Sequence, residues 1–489
     1  MPGDPALSNA DLVPTTAAQR NWRWYHYAAL WIGMVVSVPS YMVASGLIEQ
    51  GMSAIQAVLT VLLGNLIVLV PMLLIGHAGA RYGIPYAVLA RASFGTAGAR
   101  IPALARALVA CGWYGIQTWI GGSTILTLLG AAAGRDLAGV PLPLFGIGPG
   151  QLAAFLAFWL IQLVFVAKGL PAIRRLETWT APAKILVCLA LVWWALDRAG
   201  GIGPIFHAPS AFVAGGAQEG RFWQVFWPAL TAMAAFWGTL ALNIPDFTRF
   251  AHSQRDQMVG QAIGLPVPMG LLALVGVVTT SATVVIYGKA IWDPVAVAGN
   301  MASIGMLIGL LIITIDTVSC NIAANLVGAA YDFSLLWPAR ISYRRGGLIT
   351  ACIGVAIMPW KLLASTNGYI FTWLVGYGAL LGPITGILIA DYWLVRRTRL
   401  VVEELYIQGG RYSYRNGWNG AALAAFLLGL APNLPGFLHT AAPATFAGIS
   451  SFWTEIYAYA WFVGVFVAAG SYRLLMTASP EPISREQRA

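Results

Sequence analysis

Charge is scarce in this chain. Its 489 residues carry 18 Asp/Glu and 28 Lys/Arg, 9% together, where a soluble domain carries about a quarter. That excludes an ordinary water-soluble enzyme or binding domain of this length. Cysteine is also scarce: Cys111, Cys188, Cys320 and Cys352 all fall in apolar segments without CxxC spacing. They read as reduced core residues, and neither a disulfide framework nor a zinc site is expected. The five histidines, His26, His77, His207, His252 and His439, are scattered near segment ends or in loops, with no HExxH arrangement. An intramembrane enzyme would need paired catalytic groups or a metal cluster, and none is visible, so no catalysis and no cofactor are expected.

What is abundant is apolar sequence: 58% of residues are hydrophobic. Membrane-length apolar runs recur at roughly 26–48, 53–78, 98–133, 150–168, 177–198, 222–245, 257–287, 301–331, 345–362, 366–395, 418–438 and 452–476. This predicts an all-α polytopic membrane protein of about twelve transmembrane helices. Residues 1–25 are polar, with Pro2, Asp4, Pro5, Asp11 and Pro14, and read as an N-terminal tail rather than a cleavable signal.

The net charge of +10 could suggest nucleic acid, but its distribution argues for topology. If the N-terminal tail is cytoplasmic, most basic residues fall on its side, among them Arg81, Arg91, Arg100, Lys168, Arg174, Arg175, Arg396, Arg397 and Arg399. The opposite side holds Arg135, Arg198, Arg221, Lys289 and Lys361. The positive-inside rule then puts both the 1–25 and the 477–489 tails in the cytoplasm of a multi-pass cell (inner) membrane protein. No nucleic-acid partner is expected, and nothing requires more than a monomer.

Two spans are interrupted. GMVVSVPSY (33–41) contains Pro39, which lacks a backbone donor, and MAAFWGTLALNIP (233–245) contains Gly238. Irregular backbone at membrane depth survives where it lines a cavity, and paired broken helices in two repeats point to a transporter site. Tyr27–Leu30 and Trp227–Leu230 superpose with a shift of 200, placing Ser37 over Trp237. Spans 1–5 (26–198) and 6–10 (222–395) would be inverted repeats, because five crossings flip the second copy, with two accessory helices at 418–476.

Polar groups concentrate in the eighth span, MLIGLLIITIDTVSCNIAANLVGAAY (306–331), with Asp316, Ser319, Cys320, Asn321 and Asn325. A carboxylate at this depth costs at least ~2.5–3.5 kcal/mol and is tolerated mainly beside a polar path or a bound ion. Asp316 reads as the only acid near mid-membrane, and Lys184, in TAPAKILVCLALVWW, as the only base well inside a span. Lys184 either pairs with Asp316 or snorkels to the cytoplasmic interface.

On the third span Trp113 and Gln117 are four residues apart and share one face. Ordinary helix packing would account for the pair; so would an aromatic plate and a forked amide for a flat polar heterocycle.

Several motifs, in order, carry a family resemblance: SNADLVP (8–14), GIPYAVLARASFG (83–95), GWYGIQTW (112–119), FWGTLALNIPDFTRFA (236–251), CNIAANLV (320–327) and LGPITGILIADYWLVRR (381–397). The chain resembles the nucleobase:cation symporter-1 family of hydantoin, allantoin, uracil and cytosine permeases. The resemblance implies a LeuT-type five-plus-five inverted-repeat fold working by alternating access. It implies that Trp113 and Trp237 face a planar ring, that Gln117 and Asn325 hydrogen-bond it, and that Phe236 offers backbone groups. Ser37 lies where some relatives carry a longer amide, so the substrate need not be hydantoin. For Asn325, an interhelical hydrogen bond is the competing role.

In sodium-coupled relatives, carbonyls of the first and eighth spans and two hydroxyls hold the ion. The matching positions are Gly33, Val36 and Asp316, then Ser319 and Cys320. Cys320 departs from the pattern, since a thiol is a poor ligand for sodium, a hard cation. A Lys184–Asp316 pair at the vacated site would couple transport to protons, so the coupling ion is H+ or Na+. Asp246 with Arg249, and Asp391 with Arg396, read as ion pairs fixing loops or gates. Gly376, Gly378 and Gly382 give the tenth span the small residues of a mobile lid. The expected function is import of a nucleobase or related heterocycle with a cation. A vitamin (thiamine- or pyridoxine-type) or amino-acid permease on the same fold is the alternative, and a channel fits poorly with occluding aromatics.

Overall fold

The computed structural model describes residues 4, 6–9, 12–168, 170–300, 304–337 and 340–478. Most of the expected C-terminal tail and the first three residues lie outside the described residues, as do the side chains of Lys168, Arg174 and Arg175.

Each apolar run forms a helix or a helix pair. In order these are α1 (Trp24–Val35), α2 (Val38–Glu49), α3 (Ala54–Tyr82), α4 (Tyr86–Phe94), α5 (Arg100–Ala133), α6 (Pro149–Lys168), α7 (Leu170–Arg198), α8 (Phe222–Phe236), α9 (Gly238–Asn243), α10 (Gln254–Gly264) and α11 (Pro266–Tyr287). They continue with α12 (Ile304–Asn321), α13 (Val327–Leu336), α14 (Tyr343–Ala356), α15 (Val375–Ile389), α16 (Gly420–Leu430), α17 (Leu434–Ala441) and α18 (Ala460–Ala478). Among the described residues, eight helical stretches are long and apolar enough to cross a membrane, and the bent α1–α2 pair makes a ninth. α6, α7 and α14 fill the remaining expected positions.

Local sequence explains the boundaries. α3 opens on a reciprocal cap in which the Gln56 N–H donates to Ser53 Oγ (3.3 Å) and the Ser53 N–H to Gln56 Oε1 (2.9 Å). It closes at Gly83, whose φ of 72° is left-handed and favours glycine. Pro39 sits in the first turn of α2, after Ser37 in extended backbone. The chain bends there by 60°.

Packing sorts the spans into two groups. α1, α2, α3, α8, α9, α10 and α11 pack on one another; α5, α6, α12, α13 and α14 form the other group. α7 touches both α11 and α12, and α15 lies along α8 and α18. The broken segments at Ser37 and Trp237 therefore belong to one group and face α5 and α12 of the other.

The glycines of the tenth span do something other than loosen it. A Cβ at Gly376 would come within 2.9 Å of the Phe437 ring, at Gly378 within 2.7 Å of Ala235 Cβ, and at Gly382 within 2.7 Å of the Trp461 carbonyl. They permit close packing, which corrects the lid argument built on glycine spacing. The helical irregularity lies on either side of them, in π-helical stretches at Asn367–Leu374 and Ala390–Val395. A third π segment, Ile322–Leu326, interrupts the eighth span around Asn325.

Candidate functional site

The first break creates the polar backbone that a membrane interior otherwise lacks. In an uninterrupted helix the Ser37 N–H would close on the Gly33 carbonyl; with Ser37 extended, that carbonyl is released. Lys184, on α7, reaches it: Nζ donates to Gly33 O at 3.3 Å. The same ammonium forms an ion pair with the Asp316 carboxylate on α12, both side chains 8% exposed. Among the two roles open to Lys184, the structure holds the inward one. Val36, Ser37, Lys184, Cys188 and Asp316 line one cavity. Ser319 Oγ is buried with no hydrogen-bond partner among the described residues.

A neighbouring cavity is lined by Met34, Ser37, Trp113, Gln117, Trp237 and Asn325, with Phe236, Thr239 and Cys320 also on its wall. The six residues expected at the substrate thus share one chamber, with Ser37 on the boundary of both cavities. Cys320, expected with the cation, lines this second cavity.

The aromatic faces are held by edge contacts. Trp113 meets Phe236 at 5.2 Å, Trp373 at 6.0 Å and Tyr377 at 6.2 Å between ring centroids, all T-shaped. Trp237 packs edge-on to Trp31 at 5.3 Å. Its indole N–H donates to Asn65 Oδ1 at 2.8 Å, which satisfies the one polar atom of a buried Trp. The Phe236 ring itself takes part in this packing, beyond the backbone role expected of it.

Other polar groups were missed or underread in the sequence. Asn65 and Gln162 are each an amide in the interior of an apolar helix, the signal that could have flagged them. Arg106 on α5 pairs with Asp332 on α13, both buried. This second buried ion pair corrects the placing of Asp316 and Lys184 as the deep charges: α13 runs on to Leu336, so Asp332 lies within the helix rather than past its end. Asp246 accepts from the Tyr86 N–H at 2.8 Å. Burial pushes its carboxyl up from the ordinary value, opposed by Arg106 and Arg249. Asp391 and Arg396 form the expected ion pair, 2.8 Å, joined by Tyr472.

Residues 14–464 match the family model described as permease for cytosine/purines, uracil, thiamine, allantoin. The chain belongs to that family. It is a multi-pass membrane transporter. The purine-uracil permease of Arabidopsis thaliana is 43% identical over 97% of this chain and 78% of its own. The allantoin permease of Bacillus subtilis is 38% identical over 97% of this chain and 94% of its own. Among solved structures, the nucleobase-cation-symport-1 transporter Mhp1, closed with bromovinylhydantoin bound, superposes with a TM-score of 0.75 at 25% identity, covering 99% of each chain. Its inward-facing form gives 0.79 at 23% identity, covering 99% of this chain and 97% of that one. The permease therefore has the LeuT-type fold that Mhp1 represents.

Proposed function

We propose that this permease imports a planar nucleobase or ureide heterocycle by alternating access, with the ring held between Trp113 and Trp237 and hydrogen-bonded by Gln117 and Asn325. The observation that carries the reading is that these four side chains, from three separate spans, line one cavity at a helix break. Two indoles offer π-faces to a flat solute, and two amides supply both donors and acceptors. Ser37 closes the side toward the first span with a short hydroxyl, which leaves room for a substituent.

The coupling ion on this reading is a proton. Lys184 Nζ, touching Gly33 O and Asp316, stands where a sodium ion would need the same oxygens. Both termini are assigned to the cytoplasm of a cell membrane, supported by the distribution of Lys and Arg along the chain.

The test is a binding screen of the purified protein against uracil, cytosine, hydantoin, allantoin and purines, with and without sodium, followed by uptake into proteoliposomes. A saturable heterocycle signal, indifferent to sodium and driven by an inward proton gradient, is the expected result. If Trp113→Ala and Trp237→Ala both left a confirmed ligand's affinity unchanged, the site assignment would fail.

A further inference from the structure

Behind the pocket wall runs a chain of polar side chains whose direction is fixed at one end. The Tyr114 carbonyl, on α5, can only accept. It takes the Thr118 hydroxyl proton at 2.6 Å and the Asn321 Nδ2 group at 3.0 Å. Because Thr118 spends its proton on Tyr114, its oxygen is left to accept, and Gln162 Nε2 donates to it at 2.9 Å. That turns the other end of the Gln162 amide toward Asn321, and Asn321 Nδ2 donates to Gln162 Oε1 at 2.7 Å. Asn321 consequently faces Asn325 with its oxygen, and Asn325 Nδ2 donates to Asn321 Oδ1 at 2.9 Å. Thr118, Gln162 and Asn321 are fully buried, so water offers these groups no alternative partner.

The consequence appears at the far end. With its nitrogen committed to Asn321, Asn325 keeps its Oδ1, to which no group among the described residues donates a hydrogen bond, while the residue itself lines the heterocycle pocket. Turning the Asn325 amide over would set two oxygens against each other at 2.9 Å. Righting that clash would require Asn321 to turn its own oxygen onto the Tyr114 carbonyl. An amide that could otherwise place either end there is held with its oxygen in one fixed position, its second N–H remaining beside it as a donor.

We propose that Thr118, Gln162 and Asn321 are positioning residues that fix the orientation of the Asn325 amide, and that its carbonyl oxygen selects heterocycles presenting an imide edge, a ring N–H between two carbonyls. A ring bringing a nitrogen lone pair to the same place meets oxygen. This inference rests on the heterocycle reading of the pocket and names the edge chemistry that reading leaves open. Uracil and cytosine make the sharpest pair of probes. They match in size and stacking, but cytosine replaces one ring N–H by a lone pair and the adjoining carbonyl by an amino group.

The experiment measures competition of uracil and cytosine for the purified full-length protein, as wild type and with Asn321→Leu and Gln162→Leu. The wild type is expected to bind uracil at least about tenfold more tightly, the scale of one unmatched buried polar contact. Asn321→Leu frees the Asn325 amide to turn, and the uracil-to-cytosine ratio should fall toward one through improved relative binding of cytosine. Gln162→Leu removes the shortest of the bonds that hold Asn321 but leaves the one to the Tyr114 carbonyl, and should lower the ratio part of the way. Should Asn321→Leu fail to fold, Asn321→Ser, too short to meet Asn325, takes its place. Cytosine binding as tightly as uracil in the wild type overturns the proposal. So does an Asn321 variant that weakens both ligands by one factor, the mark of a merely structural role. If no planar heterocycle binds the wild type, the heterocycle reading itself falls and this inference with it. If several bind without edge discrimination, only the inference falls.

Discussion

Lys184 and Asp316, from the fifth and eighth spans, form an ion pair directly beside the carbonyl of Gly33, the group released where the first span breaks. The three belong to different parts of the packing: α1 to one helix group, α12 to the other, and α7 between them. On the proposed reading, a change of protonation in this pair would act on the joint between the two groups, which is where alternating access has to be controlled. A buried pair of this kind is weak evidence for stability, because desolvation offsets much of the attraction. Its place at a break in a membrane helix is what the proposed proton coupling rests on.

Removing one partner should be costly. Asp316→Asn leaves a buried ammonium uncompensated, and a loss of roughly 3–5 kcal/mol is expected, read as a lower melting temperature in detergent. The double variant Lys184→Met with Asp316→Leu should recover most of that stability but not proton-driven accumulation of substrate. Recovery of both would mean that the pair is structural.

Lys184→Ala should vacate the cation position while leaving Asp316, the Gly33 carbonyl and Ser319 Oγ, which has no partner among the described residues, in place. Those oxygens suit a hard cation. Sodium-stimulated ligand binding is therefore expected to emerge in this variant and to be absent from the wild type. Titration of binding against sodium chloride, with choline chloride as control, reads the difference.

Trp113→Ala should weaken a bound heterocycle by about 10- to 100-fold, since aromatic stacking on a base contributes roughly 1–3 kcal/mol. Trp113→Phe keeps a smaller plate and should lose less. Calorimetry with a confirmed ligand distinguishes the two. Equal losses would indicate that the indole acts through its contacts with Phe236, Trp373 and Tyr377 rather than on the ligand.

The Arg106–Asp332 pair makes a separate prediction. Asp332→Asn strands a buried guanidinium and should cost about 3–5 kcal/mol, whereas Arg106→Met with Asp332→Leu should be near neutral. Melting temperatures of the two variants, measured with and without ligand, provide the check. Additivity of the single changes would show that the two residues do not act as a pair.

The sequence made some of these features legible because their causes are local. Pro39 removes a donor wherever it sits in a helix, so a break near Ser37 followed from the residue alone. Trp113 and Gln117 share a face because a helix repeats every 3.6 residues. Asp316 was conspicuous because a carboxylate in an apolar run needs a reason. The same test, applied to amides, would have singled out Asn65 and Gln162.

Other features were closed to it. The tenth-span glycines suggested freedom, but what a glycine does depends on what lies against it, and here Phe437, Ala235 and Trp461 do. Asp332 looked like a residue past the end of its span, because neither hydropathy nor capping fixes where α13 stops.

Composition and short-range pattern alone determined that the chain crosses a membrane many times, that its first span is interrupted, and which residue types are too polar to be there without purpose. Tertiary structure alone decided that Lys184 turns inward to Asp316, that Cys320 shares a cavity wall with Trp113 and Asn325, and that Asn325 Nδ2 meets Asn321 Oδ1. The physical reason is the solvent. A helix in lipid is apolar on the faces that meet lipid and on most faces that meet other helices, so no amphipathic stripe marks which side looks inward. The direction of a long side chain, and the sense of a hydrogen-bonded amide, then depend on neighbours brought from far along the chain.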